Sequence, residues 1–146
     1  MAEENSKLME IMFDTSTYRG KISGTELTAD TNSSTVATHG AKGGVFWLDV
    51  TQVSSSDSVI ITIEGLDQIS GHWVTLGDNV TGTGAYAFAS QNAAIALPIA
   101  LTVYPGLTAS ANNVCVGVLP AIIRAKADVT GIDVDIDLTL GVDLIP

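Results

Sequence analysis

Cysteine, positive charge and aromatic side chains are all scarce in this chain of 146 residues. A single cysteine, Cys115, excludes an internal disulfide framework. Six lysines and arginines stand against 16 acidic residues, for a net charge of −10, and so few cations do not form the basic patch that nucleic acid or an anionic membrane surface requires. No apolar run reaches the roughly 18 residues that a bilayer span needs, and no apolar signal region follows the polar start MAEENSK. We therefore expect a protein made in a reducing cytoplasm, with neither nucleic acid nor a membrane as its partner.

What the chain does contain is a high proportion of β-forming residues. Apolar residues make up 46% of the sequence, and Thr, Ser, Val, Ile and Gly dominate from about residue 22 onward. Short apolar or alternating runs recur between turn residues, which is typical of strands. These runs are Val45–Val53, Val59–Glu64, His72–Leu76, Thr83–Phe88, Ile95–Val103, Val114–Lys126 and Ile132–Leu144. With no helical pattern between them, they predict an all-β fold, a single antiparallel β-sandwich or jelly-roll-like domain over residues 22–146.

Residues 1–21 differ from the rest of the chain, and we interpret them as an extended N-terminal arm. They contain all three methionines and few strand signals, and Ser6 would cap a short turn that has apolar residues at helical spacing. So short a segment does not fold alone, because helix nucleation is costly and the arm has no core of its own. It must fold back on its own domain or dock on another chain, and we predict an anchor to a neighbouring subunit. The anchor residues are Leu8, Met9, Ile11, Met12 and Phe13.

A second apolar surface is predicted at Ile95–Val103, where nearly every residue is apolar. One buried face cannot cover a strand that is apolar on both faces. Tyr104–Leu107 follows, with Pro105 and Gly106 at the positions that a type II turn favours. We predict that the run and the turn form a self-association surface. Its contact residues would be Ile95, Leu97, Ile99 and Leu101.

The sequence offers few groups that could carry out catalysis. Both histidines, His39 and His72, lie beside a glycine at a predicted strand end, and no GxSxG nucleophile motif occurs. Cys115 lies in an apolar run without a basic neighbour that would lower its pKa. Gly82–Ala87 fits the nucleotide-binding pattern GxGxxA, but its residues continue a β alternation instead of opening a helix. We expect no catalytic residues, no cofactor and no enzyme activity.

Aspartates recur at every second position near the C-terminus, at Asp133, Asp135 and Asp137. A period of two places them on one face of a strand, about 6.6–7 Å apart. A single cation with oxygen ligands at about 2.3–2.6 Å does not bridge three such carboxylates without help from a loop. We therefore predict a solvated face rather than a metal site, and one that repels copies of itself.

Two tryptophans remain as candidates for a binding role. Trp47 lies in a stretch that is apolar on both faces, so either its strand is covered on both sides or one face meets a partner. Trp73 follows a turn and would close one end of the sandwich. Core packing is the first interpretation of both. The alternative is a sugar ring stacked on Trp47, Trp73 or Tyr86.

Several segments resemble small virion proteins of tailed bacteriophages. The segment LDVTQVSSSDSVIITIEG (Leu48–Gly65) is similar to one common in those proteins, and GHWVTLG (Gly71–Gly77), TGAYAF (Thr83–Phe88) and IRAKADVTG (Ile123–Gly131) follow in the expected order. The resemblance covers residues 43–89 and 119–144. It is broken at Gln68-Ile69-Ser70, where aspartates and glycines are usual, and by an apparent insertion at Gln91–Val118.

The resemblance implies a structural component of a phage particle, a head decoration or cement protein that bridges and stabilises major capsid subunits. It further implies a position on the capsid surface, a symmetric oligomer such as a trimer, and no catalytic residues. A tail or head-tail joining protein is the alternative within the particle. A carbohydrate-binding β-sandwich module is the alternative outside it.

Overall fold

The computed structural model describes residues 9–14, 28–77, 86–93, 98–109, 114–132 and 134–146. All secondary-structure elements in these residues are β-strands, as the β-forming composition predicts. The strands are β1 (Met9–Asp14), β2 (Thr31–Asn32), β3 (Val36–Ala37), β4 (Gly43–Gln52), β5 (Ser58–Leu66), β6 (Trp73–Thr75), β7 (Gln91–Asn92), β8 (Ile99–Val103), β9 (Val114–Cys115), β10 (Ile122–Thr130) and β11 (Asp137–Ile145). The same residues include no helix that could cross a membrane.

The strands form two sheets that pack against each other. One sheet has five strands in the order β1-β11-β4-β8-β9, and the other has the order β2-β10-β5-β6, with β3 beside β10 and β7 beside β5. Paired strands are antiparallel except β8 and β9, which are parallel. The chain passes repeatedly between the sheets, for example from β4 to β5 and from β10 to β11. The predicted all-β antiparallel sandwich is therefore confirmed for the described residues, with β8 and β9 as a parallel pair within it.

The core lies between the sheets and follows from the alternation of residues along the strands. In β4 the side chains of Phe46, Leu48 and Val50 are buried, and those between them face away from the core. The other main contributors are Val59, Ile61 and Ile63 of β5, Leu101 and Val103 of β8, Ile123, Ala125 and Ala127 of β10, and Leu138, Leu140 and Val142 of β11. Strand β8 lies within the apparent insertion, so part of that segment packs in the core beside β4.

The predicted strand Val114–Lys126 is wrong as a single element. It is divided between the two sheets, because β9 belongs to the five-stranded sheet and β10 to the other. Pro120 lies between them and has no N–H to donate to a strand ladder. Gly117 also lies there, and a Cβ at this position would collide with the hydroxyl of Tyr86. The chain changes sheets where these two residues interrupt the apolar run.

The predicted strand Ile132–Leu144 begins later than its alternation suggests. Strand β11 starts only at Asp137, and Ile132, which the alternation places with the core residues, is 81% exposed. Gly131 precedes this segment with a φ of 147°, a conformation that other residues rarely adopt. The chain crosses from β10 to β11 here, so residues before Asp137 belong to a connection between sheets.

Strand β1 lies within the predicted N-terminal arm. It pairs with β11 at the edge of the five-stranded sheet, so the short helical turn expected after Ser6 is wrong for Met9–Asp14. The register shifts between Ile11 and Phe13, and Met12 is buried in the core. Of the two alternatives for the arm, this part folds back on its own domain.

Candidate functional site

Trp47 lies at the centre of the outer face of the five-stranded sheet. Its strand, β4, is the middle strand of that sheet, and its side chain points away from the core and is 53% exposed. The residues paired with it are small, Gly141 on β11 and Ala100 on β8. The prediction that Trp47 packs in the core is therefore wrong. Of the two alternatives for its strand, coverage of both faces by the same chain is excluded, because the face with Trp47 is open to solvent. Exposed aromatics of this size are enriched where proteins bind partners.

A hydrogen bond to Asp143 fixes the direction of the indole. The Nε1 of Trp47 donates to Oδ2 of Asp143 at 3.0 Å. Asp143 pairs with Val45 across the ladder, so it lies diagonally from Trp47 on β11. To reach it, the indole extends over β11 beside Gly141, which has no side chain to obstruct it. One side of the ring thus lies toward the sheet, and its other side faces solvent.

Carboxylates flank Trp47 on both sides. Asp49 lies two residues further along β4 on the same face, and Asp143 lies in the opposite direction on β11. The strands of the five-stranded sheet contain no Lys or Arg, whereas acids occur in β1, β4 and β11. We call Trp47, Asp49, Asp143, Gly141 and Ala100 the Trp47 face. It is an aromatic surface with negative charge beside it and no cation in its own strands.

The second tryptophan lies on the outer face of the other sheet and is covered. The guanidinium carbon of Arg124 is 4.3 Å from the centroid of the Trp73 ring. Arg124 Nε also donates to Oε1 of Glu64 at 2.8 Å, and the two residues are directly paired between β10 and β5. Glu64 is only 7% exposed. We call Trp73, Arg124 and Glu64 the Trp73 cluster, in which a cation lies between an aromatic ring and a carboxylate.

The residues predicted to bind partners are divided by the structure. Met12 and Leu101 are buried in the core of their own chain and are not available at the surface. Ile99 is half-buried and packs against the same core. Met9, Ile11 and Phe13 lie in β1. Leu8, Ile95 and Leu97 lie outside the described residues.

The candidate catalytic groups are not assembled with one another in the part of the chain that the structure describes. His39 lies in a turn with a φ of 52°, and His72 is exposed in a separate turn that precedes β6. Cys115 is buried, and burial raises the pKa of its thiol, which favours the unreactive protonated form. Burial, followed by electrostatic interaction with Cys115, raises the pKa of Tyr86, a residue that is only 6% exposed and therefore unavailable for sugar stacking.

The aspartate row does not form a metal cluster among the described residues. No group of three or more His, Cys, Asp or Glu side chains there could hold a metal ion. Asp133 lies outside the described residues, Asp135 precedes β11, and Asp137 is its first residue. The backbone N–H of Asp135 instead donates to Oδ2 of Asp57 at 3.3 Å.

Asp57 joins two connections that cross between the sheets. This residue is 2% exposed and lies at the end of the connection from β4 to β5. It accepts the N–H of Asp135 in the connection from β10 to β11. A Cβ on Gly131 would collide with Asp57, so the glycine is required for this close approach. No sequence pattern predicts this contact, because it depends on tertiary structure.

The sequence matches no known family model, and no curated protein or solved structure is significantly similar to it. The resemblance to phage virion proteins therefore depends on the quoted segments alone. In the structure three of those segments contribute to β4, β5, β6 and β10, which belong to both sheets, whereas Thr83–Phe88 lies partly outside the described residues and its described part makes only an isolated bridge from Ala87 to Thr62. These strands are the scaffold of the sandwich, and the Trp47 face lies on it.

Proposed function

We propose that this chain is a non-enzymatic structural component of a bacteriophage particle, a decoration protein that binds across major capsid subunits and stabilises them. It would be made in the host cytoplasm and lie on the capsid surface, with neither nucleic acid nor a membrane as its partner. The observation that carries the binding role is the Trp47 face, where a large aromatic side chain is held open to solvent at the centre of a sheet. A partner that covers the indole would gain apolar burial without first having to order the ring.

The phage assignment draws its support from the resemblance and is consistent with the acidic composition. A net charge of −10 suits a protein kept apart from packaged DNA, because like charges repel. The sandwich itself is compatible with many functions, so fold does not decide between a particle protein and other binding modules.

A test of location is a cryo-electron microscopy map of particles made with and without the chain. We expect density for the sandwich on the outside of the head at joints between capsid subunits, and loss of that density when the chain is deleted. Particles that lack it should assemble but break at a lower temperature. Density on the tail would support the head-tail alternative, and absence of the chain from purified particles would contradict both.

A test of the surface is co-sedimentation of the purified protein with particles that lack it. Trp47→Ala should abolish most of the binding because it removes the aromatic centre of the face. Ile60→Ala is the matched control, since Ile60 is 41% exposed on the outer face of the other sheet. Equal binding by both variants would exclude the Trp47 face as the contact.

The oligomeric state is a separate part of the proposal. We propose a trimer that native mass spectrometry would detect at about three times the mass of 15.1 kDa. Thr102→Asp should dissociate it if the outer side of β8 lies in the contact between copies, because Thr102 pairs with Val45 on the same face as Trp47. The predicted contact residue Ile99 instead pairs with the buried Leu48 and packs against the core, so Ile99→Asp should lower the thermal stability of the chain itself. A wild-type protein that is monomeric at all concentrations would contradict the trimer.

Deletion of residues 1–15 tests the predicted anchor. The truncated protein should still fold and should bind particles more weakly if the arm contributes to attachment. Because β1 pairs with β11 and Met12 is buried, the truncation is also expected to lower stability. Undiminished binding to particles would show that the arm serves only its own sheet.

A further inference from the structure

We infer that the Trp47 face binds an arginine side chain presented by the partner, with the guanidinium stacked on the open side of the indole and paired with Asp143. The inference deepens the proposed function by naming the chemistry of the partner surface. It rests on that proposal only for the existence of a partner, because the binding chemistry can be measured without particles.

The first argument is that the same molecule already contains an arginine stacked on a tryptophan and paired with a carboxylate. In the Trp73 cluster, Arg124 lies 4.3 Å from the ring centroid of Trp73 and bonds to Glu64 at 2.8 Å. The Trp47 face also has an indole and a carboxylate, which here bond directly to each other. Among the described residues, no strand of the five-stranded sheet contains a Lys or Arg that could supply the cation.

The second argument is the hydrogen-bonding capacity of Asp143. Its Oδ2 accepts the indole N–H at 3.0 Å, and an ionised carboxylate has about four acceptor sites on its two oxygens. Asp143 can therefore hold the indole and accept guanidinium N–H groups together. In that position it serves the bound arginine as Glu64 serves Arg124.

The third argument is charge complementarity. Asp49 adds a second carboxylate on the same face, on the opposite side of Trp47 from Asp143. Both described lysines and arginines that lie in strands, Arg124 and Lys126, belong to β10 in the other sheet. An approaching cation is attracted to the Trp47 face, and no cation within its strands competes for the carboxylates.

Arginine fits this surface better than lysine does. The guanidinium is planar, is more weakly hydrated than an ammonium, and can stack on an aromatic ring while its edge donates to a carboxylate. An ammonium cannot stack in this way and loses more hydration on contact. A sugar ring could also stack on an open indole, but two carboxylates with no cation in the described strands around them favour a positively charged occupant.

The test is the titration of the full-length ¹⁵N-labelled protein with the blocked tripeptide Gly-Arg-Gly, followed by NMR. Two tryptophans give two indole N–H signals, so Trp73 is an internal control within each sample. Trp47→Phe assigns the signals. We expect the arginine peptide to shift the Trp47 signal with saturation and to leave the Trp73 signal in place, because that ring is already covered.

Matched peptides and variants separate stacking from simple charge attraction. Gly-Lys-Gly should bind about two- to fivefold more weakly, and uncharged Gly-citrulline-Gly should bind more weakly still. Asp49→Asn should weaken binding of the arginine peptide without releasing the indole, since Asp49 does not bond to it. Asp128→Asn is the matched control, because Asp128 is a half-exposed acid on the other sheet, and it should leave binding unchanged.

Four outcomes would overturn the inference. The first is that the arginine peptide does not shift the Trp47 signal, and the second is that the arginine and lysine peptides bind equally well. The third is a saturable shift with methyl glucoside or methyl mannoside but not with the arginine peptide. The fourth is that, without any peptide, Arg19→Gln or Lys21→Gln shifts the Trp47 signal relative to the wild type. The last would mean that a basic residue of the chain itself occupies the face. If the protein binds the arginine peptide as described but does not bind particles, the inference about arginine stands and the capsid proposal is contradicted.

Discussion

The two tryptophans of this chain lie on outer faces of opposite sheets and are used differently. Trp73 is covered by Arg124, which is in turn fixed by Glu64, so aromatic ring, cation and carboxylate are all satisfied within one chain. The indole of Trp47 bonds to Asp143 along one edge, and the residue is 53% exposed. The difference shows that exposure of Trp47 is not a general property of aromatics in this sandwich. A covered tryptophan contributes to the fold, whereas an open one that is held in place is suited to contact another molecule.

The strand register explains why residues of the same chain cover Trp73 but leave Trp47 open to solvent. Glu64 and Arg124 are directly opposite each other on β5 and β10, so the ion pair needs little rearrangement of either side chain. The residues opposite Trp47 are Gly141 and Ala100, which cannot cover an indole. Covering Trp47 therefore requires a group from outside these strands.

The largest effect is expected from Arg124→Ala, which breaks the Trp73 cluster. The substitution leaves the carboxylate of Glu64, a buried residue, without its cation, and removing one partner of a buried pair costs on the order of 3 kcal/mol of unfolding free energy. Urea unfolding measures the loss. The double variant Arg124→Met with Glu64→Gln should recover most of it because no unpaired charge remains. A loss below about 0.5 kcal/mol for Arg124→Ala would show that the pair behaves as an exposed one.

An intermediate loss of unfolding free energy is expected when each tryptophan is replaced by alanine and the two variants are compared. Trp73→Ala should lower the free energy of unfolding by about 2 kcal/mol, since it removes the cation–π contact and uncovers Glu64 and Arg124. Trp47→Ala should lower it by less than about 1 kcal/mol, because only part of the ring is buried and its neighbours are small. Urea unfolding of both variants under identical conditions gives the comparison. Equal losses would contradict the assignment of stability to one ring and binding to the other.

The smallest effect concerns the turn that leads from β5 into β6 and therefore to Trp73. Oδ2 of Asp67 accepts the Ser70 hydroxyl at 2.7 Å, and Oδ1 accepts the N–H of Ile69 at 2.9 Å. The Ser70 hydroxyl first, and then the N–H groups of Ile69 and Ser70, lower the pKa of Asp67 below its ordinary value. Because the folded pKa is the lower one, this contribution to stability is present above about pH 4 and is lost as the pH falls through the folded pKa.

The turn can be tested by following the amide signal of Ile69 by NMR as a function of pH. Ser70→Ala should raise the midpoint of its titration toward that of an ordinary aspartate, since it removes the main cause of the lowered pKa. Asp67→Asn should abolish the titration. The Trp47 face has no such turn, so the amide of Trp47 should be the same in the wild type and in Asp67→Asn. Identical midpoints in the wild type and Ser70→Ala would contradict this account.

The strands could be predicted from the sequence where alternation was strong. β4 and β5 were found within two residues at each end because turn residues bound a clear apolar pattern. The type II turn after β8 is supported by Gly106, which has a φ of 81°. The division of Val114–Lys126 was missed because apolarity alone does not show that a chain changes sheets. Gly117 and Pro120 were the available signals.

The candidate site was less accessible from the sequence. The open face of Trp47 was one of two alternatives, and only the pairing of β4 with Gly141 and Ala100 decides between them. The Trp73 cluster was missed, since Glu64 and Arg124 are distant in sequence and meet through register. A signal was present, because both lie at outward positions of their strands and Glu64 is the single charged residue of β5.

The position of β11 has a consequence for how the chain is made. β11 lies between β1 and β4, so a strand synthesised late joins two that are synthesised early. During synthesis on the ribosome, β1 and one edge of β4 remain unpaired until β11 has been translated, which happens near the end of the chain. Unpaired edges of this kind are sites of misassembly, and pairing over such a distance is slow. A nascent chain stalled before Asp137 should therefore remain sensitive to protease, and completion of the five-stranded sheet should be one of the last events in its folding.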